Sequence, residues 1–138
     1  MPELPSLLIA GSALILLVLG ALHLVFTFHG RRLQPRNPAV RDAMQADDLV
    51  LTRQTTVWKA WIGFNASHGL GAVLFGLVYG YLALAEARFL FGRPFLLTVG
   101  ALALAAYLVL ARRYWFKVPL RGVMLATTLY AAALVLGA

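Results

Sequence analysis

The sequence predicts an all-α integral membrane protein, four spanning helices packed as an up-down-up-down bundle. Three observations predict it. Of the 138 residues, 62% are hydrophobic and 12% charged, about half the charged share of a soluble domain. The apolar residues come in long blocks, not in the narrow stripes of a half-buried helix. The basic residues gather at the ends of those blocks. The length suits a single transmembrane domain, residues 1–138.

The first span is expected over residues 5–28. Pro5 suits a helix start. The N-terminal stretch lacks a basic n-region, and its apolar run exceeds a signal-peptide core, so it reads as a retained span. Gly30, Arg31, Arg32 and Pro35 end it. The cytoplasmic loop, residues 29–56, then holds Asn37–Pro38, an N-cap followed by proline at the first helical position. A short helix, interfacial or leading into span two, is expected within 38–54, its charges read as a solvated face. Span two is expected over 57–84 and span three over 94–111. Arg112 to Lys117, RRYWFK, has the composition of an interfacial headgroup anchor. Pro119 opens span four, expected over 119–137, and Arg121 one turn inside snorkels back to the interface.

Orientation follows from the basic residues. Ten of the 12 Lys and Arg fall in the segments joining spans one–two and three–four, against Arg88 and Arg93 alone on the other side. The positive-inside rule then puts both basic segments in the cytoplasm of a bacterial-type inner membrane and both termini outside. The formal charge of +7 is accounted for by topology and contact with anionic lipid, so no nucleic-acid partner is expected. The chain has no cysteine, which removes disulfides, thiolate metal sites and thiol catalysis.

The stretch Trp58 to Tyr81 carries the candidate site. On a helix, Trp58, Trp61, Asn65 and His68 share one stripe. An Asn and a His in hydrocarbon are costly to place and belong against protein or water. His23 lies eight residues before Arg31, ~12 Å along the helix. With Tyr107 on span three and Thr127 on span four, the expected ligand contacts are His68, Asn65, His23, Trp61, Tyr107 and Thr127, all near the cytoplasmic side. Thr27, Ser67, Thr127 and Thr128 also have a simpler use, bonding their own helix carbonyls. Gly63, Ser67 and Gly71 form a small-residue face suited to helix contact, with a second copy or another membrane protein as partner. Gly76 and Gly80 repeat that spacing.

No Asp or Glu lies inside any span, which argues against a carboxylate proton relay, a paired acid/base site and a hard-cation site. In size and span number the chain is similar to the small multidrug transporters, but their embedded Glu in the first span is missing; His23 is there instead. The run WKAWIGFNASHGLG, with the later RYWF, resembles an uncharacterised family of small four-span bacterial membrane proteins. That resemblance implies the fold and the membrane location and no activity, cofactor or site residue. No cofactor or metal is expected; haem held by His23 and His68 is the alternative.

Three functions follow. The first is binding or moving a mostly apolar or lipid-like molecule in a cytoplasm-facing pocket within the membrane. The second is a structural or accessory subunit docked through the small-residue face. The third is a membrane enzyme acting on lipid, with His68 as base and Asn65 or Tyr107 as its partner.

Overall fold

A computed structural model describes residues 3–137. The elements run α1 (Leu4–Phe28), α2 (Pro38–Ala46), β1 (Asp48–Leu49), β2 (Thr52–Thr56), α3 (Val57–Ala85), α4 (Ala87–Phe91), α5 (Pro94–Tyr114) and α6 (Lys117–Leu136). Four of these, α1, α3, α5 and α6, are long and apolar enough to cross a membrane. The fold is all-α, as the apolar blocks predict, with one small hairpin added. The chain divides into two compact units. One holds the chain up to Leu19 and from Ala72 on; the other is Gly20–Gly71.

The first unit contains the four-helix core. Its buried side chains include Ile9, Ala13 and Leu16 of α1, Phe75 and Tyr79 of α3, Leu104 of α5, and Ala126 and Tyr130 of α6. Small residues let the helices close. A Cβ on Gly76 would lie 2.8 Å from the Ala13 carbonyl oxygen, so α1 and α3 meet there at backbone distance. Tyr79 donates its hydroxyl to the Leu96 carbonyl at 2.7 Å, and Tyr130 donates to the Leu97 carbonyl at 3.0 Å. The two rings are edge to face, centroids 6.0 Å apart, a favoured aromatic geometry. Gly100 of α5 fits against both: a Cβ there would strike the Tyr130 hydroxyl and the Tyr79 ring.

Several boundaries differ from expectation. Residues 87–91 are not a plain turn but the short helix α4, whose Leu90 is fully buried in the core. Helix α5 runs on to Tyr114, and α6 begins at Lys117. The basic-aromatic cluster is therefore mostly helical, with only Trp115 and Phe116 between the helices. Pro119 lies inside the first turn of α6, where its missing N–H costs nothing.

In the second unit, Asn37 caps α2 as expected, its Oδ1 accepting from the Ala39 N–H at 3.0 Å. That helix stops at Ala46 rather than continuing toward residue 54. Asp47 is extended at the C-cap, and the following Thr-rich run, with its β-branched side chains, pairs as the antiparallel hairpin β1–β2. Thr56 ends the strand and caps α3, its hydroxyl accepting from the Lys59 N–H at 3.3 Å. Gly30 follows α1 at φ +82°, a left-handed conformation that suits glycine after a helix end.

Candidate functional site

The second unit gathers four of the six expected contact residues. The end of α1 and the start of α3 approach closely at Gly69, where a Cβ would lie 2.9 Å from Leu24 and 3.2 Å from the Gly20 carbonyl oxygen. His23 precedes Leu24, and His68 precedes Gly69, so this approach brings the two imidazoles together. Their centroids are 5.0 Å apart with planes at 79°, an edge-to-face pair. Asn65, three residues before His68 on α3, completes the cluster. Its Nδ2 donates to the Trp61 carbonyl at 2.8 Å, and its Oδ1 lies 3.1 Å from His23 Nε2. With Nδ2 committed, Oδ1 is the acceptor, so His23 donates from Nε2. Thr27 donates to the His23 carbonyl at 2.7 Å.

Trp61 joins this cluster to the loop after α1. Its indole N–H donates to the Leu33 carbonyl at 3.0 Å. Two cavities open at this level. One, of about 420 Å³, is lined by Arg32, Leu33, Gln34, Pro35, Met44 and Trp61. The other, of about 370 Å³, lies along the apolar face of α2, against Val40, Ala43, Met44 and Val57. Both are built from the connecting segment and its helix ends.

Tyr107 and Thr127 belong to the other unit. Tyr107 packs its ring against Trp115, centroids 6.1 Å apart. Thr127 donates to the Val123 carbonyl at 2.8 Å. Thr128 and Ser67 likewise donate to the carbonyls four residues back, Met124 and Gly63, so the hydroxyls serve their own helices as the simpler reading has it.

The cluster holds no carboxylate, Lys or Arg, only two imidazoles and an amide. It offers donors and acceptors at close quarters in apolar surroundings, a set that recognises a hydroxyl, carbonyl or ester oxygen. Among the described residues no three His, Asp or Glu side chains come together to hold a metal. The imidazoles as placed do not fit axial haem ligation. Such ligands face each other across the macrocycle, and here the ring edges are in contact with His23 Nε2 bonded to Asn65.

Sequence reading missed three things. Arg32 lies over the Phe26 ring, 4.3 Å from its centroid, and Arg41 over Trp58 at 5.2 Å. The second makes Trp58 a stacking platform for a cation of its own chain, not only a membrane-belt anchor. Tyr130 was hidden as one more aromatic in an apolar block; no local signal marks its hydroxyl as the partner of Leu97. The cavity at Trp61 depends on contacts between residues about 30 apart, which local spacing does not encode. Comparison with protein-family models, with curated proteins and with solved structures finds no match.

Proposed function

We infer that this membrane protein binds or moves a mostly apolar, lipid-like molecule, with His23, Asn65 and His68 reading its polar group. The observation that carries this is the cluster itself: His23 of α1 hydrogen-bonded to Asn65 of α3 and in ring contact with His68, inside apolar segments. Polar groups at such depth are expensive and mark functional sites by default. Trp61 fits the reading as the link between the cluster and the loop cavity. The ten-to-two distribution of Lys and Arg supports a cytoplasmic position for this unit, in a bacterial-type inner membrane with the termini outside.

The test is thermal stability of parent and His68→Phe, each with and without total membrane lipid extract. The expected outcome is stabilisation of the parent by lipid, by about 1–3 kcal/mol at saturating ligand, and a smaller stabilisation of the variant. Equal lipid responses in the two proteins remove His68 from the site.

A second reading, an accessory subunit or self-associating chain, is favoured by one observation. A Cβ on Gly63 would meet nothing within 4 Å, and Ser67 one turn on is exposed, so the chain leaves this part of its small-residue face uncovered. On this reading Gly63→Leu lowers the mass of the complex on native gels without changing the melting of the chain itself. An unchanged mass in native membranes' extracts leaves the ligand-binding reading alone.

A further inference from the structure

Residues 29–59 carry six Lys and Arg against three Asp. Two of the arginines have neutral partners. Arg32 rests over Phe26, and Arg41 over Trp58. Arg41 also donates from Nη1 to Gln34 Oε1 at 3.2 Å, while its Nε is buried without a hydrogen-bond partner. Gln34 is held in turn, its Nε2 donating to the Gly30 carbonyl at 3.1 Å. Trp61 pins the same loop from α3 through the Leu33 carbonyl. A cation resting over a ring is held in place by that contact.

The cavity of about 420 Å³ lies amid these groups, with Arg32 and Gln34 on its wall. It is an open groove rather than an enclosed void, and its volume falls in the range of small-molecule sites. The rest of the lining, Leu33, Pro35, Met44 and Trp61, is apolar. A guanidinium fork matches the oxygens of a phosphate in geometry and charge. An apolar wall beside it suits a ligand whose phosphate is attached to carbon chains. The cavity also lies where α1 ends and α3 begins, at the termini of two spanning helices. Lipid phosphates occupy that level of a bilayer.

We propose that this cavity seats the phosphate group of an anionic membrane lipid. Arg32 is the direct phosphate contact. Arg41 adds the second positive charge, and Gln34 positions it. The seat uses none of the histidine-cluster side chains and shares only Trp61 with the function proposed above.

The experiment titrates the detergent-solubilised full chain with three probes and follows thermal unfolding. The probes are a phosphatidylglycerol, a diacylglycerol with the same acyl chains and no phosphate, and inorganic phosphate. The expected result is a melting shift with phosphatidylglycerol that exceeds the shift with diacylglycerol, whose neutral head group reaches only the histidine cluster. Arg32→Gln and Arg41→Gln each weaken the apparent affinity about tenfold. Arg53→Gln, which removes the same charge from β2, leaves it unchanged, and so does His68→Phe. If Arg41→Gln does not fold, Arg32→Gln decides alone, because Arg32 is exposed and carries no core packing. An equal shift with inorganic phosphate keeps the phosphate seat and overturns the lipid as its source. The proposal is overturned outright if diacylglycerol gives the same shift, or if Arg53→Gln weakens binding as much as Arg32→Gln does.

Discussion

Asn65 is the residue on which the second unit's polar interior turns. Its two amide ends join α1 to α3 through His23 and tie back to the Trp61 carbonyl. Asn65→Leu therefore leaves the His23 Nε2–H without its partner, while the Trp61 carbonyl keeps the backbone N–H of residue 65, and should destabilise the protein by about 1–3 kcal/mol. A double-mutant cycle with His23→Phe, read by unfolding in detergent, should give a coupling of about 0.6–2 kcal/mol. A coupling near zero would show that the His23–Asn65 bond contributes nothing. The position of Asn65 and His68 on one face of a long apolar helix was legible in the sequence because polar atoms stand out against an apolar block. That His23 is their partner was only half legible: its depth along the helix was countable, but the close approach at Gly69 that makes the contact was not. Tyr107 and Thr127 were grouped with them on height alone, and height carries no information about which packing unit a residue joins.

Among the elements, the β1–β2 hairpin has the least favourable local chemistry. Its turn is Val50–Leu51, with Leu49 paired to Thr52. Two-residue hairpin turns favour positive φ at their central residues, yet among the described residues no non-glycine has positive φ. A turn without positive φ splays the strands, and the register is indeed irregular between Asp48 and Leu49. Replacing Val50–Leu51 by Asn-Gly should permit the preferred turn and slow amide hydrogen exchange over Thr52–Thr56. Faster exchange in that variant would refute this account of the irregularity. Both tip residues are fully exposed, so no core contact is lost. The hairpin escaped sequence reading because its strands are two and five residues long, too short for a period to register. The long helices were legible because hydropathy is additive along a block, and Asn37–Pro38 because a cap is a local chemical event. The extension of α5 to Tyr114 was obscured by basic residues that read equally as a loop or as a last turn.

At the scale of the whole molecule, topology is open to a direct test that the chain itself simplifies, because it contains no cysteine. Single cysteines at Arg36 and Arg88, probed in intact cells with a membrane-impermeant thiol reagent, should give labelling at 88 and not at 36. The reverse pattern would invert the proposed orientation and put the Arg32 cavity outside. The α5–α6 hairpin of the first unit carries a consequence for biosynthesis. Its two helices are joined by two residues, yet the hydrogen bond that locks them, from Tyr130 to the Leu97 carbonyl, spans 33 residues of chain. On the ribosome, α5 therefore enters the translocon with its Gly100 notch unfilled and waits there for translation to deliver Tyr130. Until Tyr130 arrives, the α5 surface beside Gly100 lacks the ring that covers it in the folded chain, and the Leu97 carbonyl lacks the hydroxyl that bonds it.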